Sequence, residues 1–218
     1  MSDRATRFSE ILAATRLCAI TDQSPSDERM LQIVDRLLDA GVRLIQYRDK
    51  ARSDGGRVVL GRALATLIHA RGGLLIVNDR VDVALACGAD GAHLGQDDLP
   101  LDAGRRILGP DLLLGASASY AEEIPAIVAA GADYIGFGAV FPTETKPDAE
   151  YAGLDLLRTV VHSTALPVIG IGGITEARAP TVLAQGATGV AVVSALFGAP
   201  DPGLAATRLL RALSRSSS

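Results

Sequence analysis

Short apolar runs alternate with longer segments of helical periodicity along the whole chain. The runs fall at Leu17–Thr21, Leu44–Arg48, Leu74–Asn78, Gly91–Leu94, Leu113–Ala116, Tyr134–Phe137, Pro167–Gly170 and Gly189–Val193, eight in all, and each has the length of a strand. Between them, Glu28–Ala40, Arg57–Ala70, Glu122–Ala130, Leu154–Val161 and Ala177–Gln185 repeat apolar residues at helical spacing, and a last helix is predicted near Leu204–Leu213. Such alternation requires a mostly parallel sheet covered by helices, because parallel neighbours need a crossover between them.

A weak internal repeat separates an open sheet from a closed one. Ala40-Gly41, Cys87-Gly88, Ala130-Gly131 and Gln185-Gly186 each end a helical segment on glycine and lead straight into the second, fourth, sixth or eighth run. Glycine suits the left-handed residue that closes a helix. Four such quarter-turns predict an α/β chain folded as a (β/α)8 TIM barrel. At 218 residues the chain is near the short limit of that class. The expectation is one barrel domain over 1–218 with short flexible termini, and a frayed tail at 214–218.

Composition narrows the partners. The chain is 48% apolar with a net charge of −4, so no global basic field exists to hold nucleic acid or an anionic membrane. No apolar run approaches the ~20 residues that cross a bilayer, and the N-terminus lacks the apolar stretch of a signal peptide, which reads as a cytoplasmic protein. Cys18 and Cys87 form no metal-ligand or disulfide pattern and read as buried thiols. A homo-oligomer is compatible with a small barrel, though no surface pattern in the sequence demonstrates one.

The candidate chemistry follows the strands. Gln46, Arg48 and Lys50 share one face at period-two spacing beyond an apolar run, and they must meet either solvent, as on an edge strand, or an anion. Asp79 and Asp98 follow the third and fourth runs. Each reads alone as a helix cap; together, facing those cations, they suit Mg2+, which takes one or two carboxylates and completes its shell with water and phosphate. Ser117 ends the fifth run. The polar stretch Phe141–Asp148, with Thr143, Thr145 and Lys146, reads as a lid over an anion or as a plain surface loop. Gly170-Ile171-Gly172-Gly173 and Val193-Ser194 fall where a barrel binds phosphate through backbone amides. His93 alternates with Ala92 and Leu94, faces inward, and reads as a hydrogen-bonded structural histidine. His69 and His162 read as surface residues. Two anion sites in one barrel mouth imply two phosphorylated small-molecule substrates and a joining reaction.

Taken in order from about Leu17 to Phe197, Gln46-x-Arg48-x-Lys50, Asn78-Asp79, Gly95-Gln96-x-Asp98, Gly115-x-Ser117, Pro142-Thr143-x-Thr145-Lys146, Gly170-Ile171-Gly172-Gly173 and Val193-Ser194 resemble the thiamine phosphate synthase family. The resemblance implies a transferase that joins an aminopyrimidine diphosphate to a thiazole phosphate, with Mg2+ on Asp79 and Asp98. It assigns Gln46, Tyr47, Arg48, Asp49, Lys50, Asn78, Ser117 and Lys146 to the pyrimidine diphosphate. Thr143, Glu144, Thr145, Gly173, Val193 and Ser194 fall to the loop and corner that receive the thiazole phosphate. Arg48, Lys50, Ser117 and Lys146 would act in the chemical step. Ala139 stands where the family often has proline. Two rivals use the same barrel: a thiazole tautomerase, which needs no diphosphate or metal and resembles a histidine enzyme near Ser117, and a noncatalytic phosphate sensor, which has no need of Asp79, Asp98 and Lys146 together.

Overall fold

The computed structural model describes residues 3–23, 26–143 and 151–215. Its eight strands are β1 Leu17–Ile20, β2 Leu44–Tyr47, β3 Leu74–Asn78, β4 Gly91–Leu94, β5 Leu113–Ala118, β6 Tyr134–Phe137, β7 Val168–Ile171 and β8 Gly189–Val192. All neighbours pair in parallel and in sequence order, and β8 returns to β1, so the sheet is a closed barrel. The (β/α)8 expectation holds. β2 lies between β1 and β3, which removes the edge-strand reading of its cations.

The surrounding helices are α1 Asp3–Thr15, α2 Asp27–Asp39, α3 Asp54–Ala70, α4 Val81–Cys87, α5 Leu101–Leu108, α6 Ile124–Ala129, α7 Gly153–His162, α8 Ala179–Leu183, α9 Ser194–Phe197 and α10 Pro202–Ser214. Local chemistry moves several boundaries away from the periodic pattern. α3 begins three residues before Arg57 because the Ser53 hydroxyl caps it, accepting from Gly56 N at 3.3 Å. α8 is shorter than Ala177–Gln185: Pro180 sits in its first turn, and proline disfavours helical backbone in the residue before it. Ser214 closes α10 rather than opening a tail, and 216–218 lie outside the described residues. Among the described residues no helix is long and apolar enough to cross a membrane.

The four repeat glycines adopt left-handed backbone, with φ of +106° at Gly41, +74° at Gly88, +78° at Gly131 and +93° at Gly186. The residue two places on explains why the motif recurs. Asp90 accepts from Leu75 N at 2.8 Å, Asp133 from Leu114 N at 2.7 Å, and the Thr188 hydroxyl from Val168 N at 3.3 Å. Three of the four turns therefore satisfy a backbone donor at the start of the preceding strand, where the ladder leaves it open; at the first, Arg43 instead donates to Leu38 O and Val42 O. Asp90 is buried, and His69 on α3 and Arg4 on α1 also bind it, at 2.7 and 3.3 Å.

Alternation along the strands divides the core into two shells. One set, including Val34, Ile45, Tyr47, Leu64, Val77, Ala116 and Phe137, packs against the helices. The other, including Cys18, Ile20, Leu44, Leu74, Ile76, Leu113, Tyr134, Ile169 and Ala191, fills the barrel. Phe8, Ile11 and Leu12 of α1 join the second set, so this helix packs onto the barrel's interior. Cys18 and Cys87 are buried free thiols, as their sequence context indicates, and burial pushes the Cys18 thiol up to about 12.

Candidate active site

A cavity of about 250 Å3 opens beyond the C-terminal ends of the strands. Gln46, Arg48 and Lys50 reach it from β2 and its loop, Asn78 and Asp79 from the end of β3, Asp98 from the loop after β4, and Ser117 from β5. Thr143, Gly173, Val193 and Ser194 line the same cavity. Eleven sequence-selected positions thus converge on one space.

Two members of the β2 segment do not. Tyr47 belongs to the helix-facing core, and its hydroxyl is buried without a hydrogen-bond partner among the described residues. The Asp49 carboxylate is turned to its own loop, accepting from Arg52 Nε at 2.9 Å, Arg52 N at 3.0 Å and Ala51 N at 3.2 Å. Strand alternation accounts for both, since placing Gln46 and Arg48 inward sends Tyr47 and Asp49 the other way. Glu144, Thr145 and Lys146, and with them the lid from 144 onward, lie outside the described residues.

The charged end is built on a constrained backbone. Asp79 has φ +66°, a left-handed conformation that aspartate tolerates better than most side chains. Its amide donates to His93 O at 2.8 Å. Its carboxylate accepts from Asn78 Nδ2 and lies 3.8 Å from Lys50 Nζ. Asp79 does not cap α4, whose cap position is Arg80. Asp98 Oδ2 accepts from Gly95 N at 2.6 Å. Burial, then hydrogen bonding and repulsion from Asp98, raise the Asp79 carboxyl above its ordinary value, against the pull of Lys50 and Arg48. A carboxylate pair pressed together beside two cations fits a divalent ion that would relieve the repulsion. No cluster of three or more histidine, cysteine or acidic residues that could hold a metal ion occurs among the described residues. Arg48 makes no ion pair among the described residues, and its position is fixed by Thr21, whose hydroxyl accepts from Arg48 N at 2.9 Å and donates to Arg48 O at 3.0 Å.

The opposite end is mostly backbone. Gly172 and Gly173 have φ of +99° and +60°, and a Cβ on Gly173 would stand 2.4 Å from Pro142 O. Val140 N and Phe141 N donate to Ile171 O and Gly172 O at 2.8 and 3.1 Å, tying the start of the loop after β6 to this corner. The guanidinium of Arg178 lies 4.8 Å from the Phe141 ring centroid and donates to Gly173 O at 2.8 Å.

The base of the cavity carries a feature the motifs did not assign. His93 is buried, with Nδ1 3.2 Å from the Tyr134 hydroxyl and Nε2 3.0 Å from Ser117 Oγ. Alternation placed His93 inward; its contact with Ser117 required the register of β4 on β5. Beside it, Gln96 donates to Glu123, whose other carboxylate oxygen accepts from Ser119 N at 2.6 Å, joining the Asp98 loop to the end of β5.

Comparison with known proteins places the chain. Residues 17–196 match the family model described as thiamine monophosphate synthase. A thiamine-phosphate synthase of Roseiflexus sp. (strain RS-1) is 49% identical over 196 residues, covering 89% of this chain and 83% of that protein. A thiamine biosynthesis bifunctional protein of Symbiobacterium thermophilum is 50% identical over 185 residues, covering 84% of this chain but only 38% of the larger protein. Among solved structures, a thiamine phosphate pyrophosphorylase from Pyrococcus furiosus superposes with a TM-score of 0.86 at 36% identity, over 95% of this chain and 100% of that one.

Proposed function

The chain belongs to the thiamine monophosphate synthase family, and on that premise we propose that it joins 4-amino-2-methyl-5-(diphosphooxymethyl)pyrimidine to a thiazole phosphate, releasing pyrophosphate and thiamine phosphate. The observation that carries this reading is the polarity of a single cavity, with Arg48, Lys50, Asp79 and Asp98 at one side and the open glycine corner, Val193 and Ser194 at the other.

The bond from the pyrimidine methylene carbon to the diphosphate oxygen breaks, and its electron pair leaves with pyrophosphate. Arg48 and Lys50 meet the developing negative charge, and Lys146 would join them from the loop. The methylene carbon is left electron-poor, stabilised by donation from the ring amino group, until the thiazole nitrogen lone pair forms the new C–N bond. Mg2+ held by Asp79 and Asp98 would supply further positive charge for the diphosphate oxygens. No side chain need act as a nucleophile. Gln46, Asn78 and Ser117 orient the pyrimidine, and the backbone near Gly173, with Thr143 and Ser194, holds the thiazole phosphate. We assign the activity to the cytoplasm, with small molecules as the only required partners.

The test is thiamine phosphate formation from the two substrates with Mg2+ and with it chelated. Metal-dependent product supports the reading. A folded protein without product in Mg2+ overturns it and brings the tautomerase forward.

A further inference from the structure

Arg178, the exposed residue that opens α8, holds two neighbouring loops at once. Its Nη1 donates to Gly173 O at 2.8 Å, and its guanidinium carbon lies 4.8 Å from the centroid of the Phe141 ring. Gly173 belongs to the glycine corner after β7, whereas Phe141 lies in the loop after β6, two residues before Thr143. The two loops touch here, because a Cβ on Gly173 would stand 2.8 Å from Phe141 Cβ. A planar guanidinium can stack on a ring and donate along its edge at the same time.

The carbonyl that Arg178 takes fixes an amide. The Gly173–Ile174 peptide bond is trans, and in a planar trans peptide the C=O and N–H point in opposite directions. Drawing Gly173 O out to an exposed guanidinium therefore turns the Ile174 N–H inward, toward the cavity that Gly173 and Ile174 both line. Ile174 is buried, and among the described residues its amide has no protein acceptor. A buried amide is almost always satisfied, so an open donor at a cavity wall calls for an acceptor on the ligand. The phosphate of the thiazole substrate supplies one.

We infer that Arg178 is a positioning residue for the thiazole phosphate: through Gly173 O it aims the Ile174 amide at the phosphate, and through Phe141 it keeps the loop bearing Thr143 against the same corner. The inference rests on the synthase reading for the identity of the ligand, while the orientation of the Ile174 amide is a property of the protein alone.

Two measurements test it. Arg178→Ala should raise KM for the thiazole phosphate about tenfold while kcat and KM for the pyrimidine diphosphate stay within about twofold of wild type, because the phosphate is held equally in ground and transition states. No change, or equal changes in both KM values, overturns the inference. In amide 1H–15N spectra, the thiazole phosphate added without the pyrimidine should move the Ile174 proton downfield in the wild type, as a charge-assisted hydrogen bond forms. No movement there overturns the inference, and this arm needs no variant. In Arg178→Ala the downfield shift should stay smaller at saturating ligand. A variant that reaches the wild-type shift, but at a higher concentration, reduces Arg178 to a distant charge and overturns its positioning role. A wild-type protein that makes no thiamine phosphate in Mg2+ fails the synthase reading instead, whereas one that makes it while the variant's kinetics are unchanged fails this inference alone.

Discussion

The rings of Phe8 and Tyr134 stack with centroids 4.8 Å apart and 29° between their planes. Phe8 belongs to α1, ahead of the first strand, whereas the Tyr134 hydroxyl meets His93 at the base of the cavity. A helix outside the eight-fold repeat thus supports the floor on which substrate would rest, with Leu12 packed so close to β8 that a Cβ on Gly189 would come within 2.8 Å of it.

Truncating Phe8 should therefore act on both stability and turnover. Phe8→Ala is expected to cost about 3–5 kcal/mol, as buried aromatic-to-alanine changes do. Urea unfolding measures the loss, and assays well below the melting temperature should show reduced kcat/KM because Tyr134 loses its support. Unchanged stability would show that α1 is not part of the core.

The barrel was legible because both faces of its strands are buried, which writes each strand as a continuous apolar run, and because left-handed glycines mark the quarter-turns. Helix limits were less legible, since a single hydroxyl at Ser53 or a ring at Pro180 outweighs the apolar period. α1 was not predicted at all. Its apolar residues Phe8, Ile11 and Leu12 lie among Arg4, Arg7, Ser9 and Glu10, and their purpose exists only once a barrel interior is there to receive them. α4 and α5, of 7 and 8 residues, are too short for periodicity to stand out.

Within the site, the alternation that aligned Gln46 with Arg48 already turned Tyr47 away, yet the family resemblance takes the segment as a block. Tyr47→Phe separates the two. It should leave kcat/KM unchanged and stabilise the fold by roughly 1 kcal/mol, because an unpartnered buried hydroxyl is costly. A clear rise in KM for the pyrimidine diphosphate would return Tyr47 to the site.

The carboxylate pair should show function opposing stability. The Asp79 carboxyl is raised by burial and by Asp98, so its ionised form weakens the metal-free fold at any pH above its folded value. Asp79→Asn removes that charge and should raise the melting temperature in chelator while lowering Mg2+-dependent turnover by about 100-fold or more. Asp98→Asn should likewise depress turnover far more than folding. Added Mg2+ should stabilise the wild type and neither variant. Parallel losses of stability and activity would count against both assignments.

His93 gives the fold a pH dependence of opposite sign to that of Asp79. An unfolded histidine binds a proton near its ordinary value of 6.5, but the buried ring does so only near 4. Above 6.5 both states are neutral and the full stabilisation is present. As pH falls from 6.5 toward 4, the unfolded chain takes up the proton first and stability is lost, by about 3 kcal/mol across the window. Below 4 this contribution levels off. Carboxylates titrate in the same range, so the quantity to measure is the difference between wild type and His93→Gln, from urea unfolding at pH 7, 6, 5 and 4. That difference should shift by about 3 kcal/mol in favour of the variant as pH falls. A constant difference would mean that the ring is not held neutral by burial.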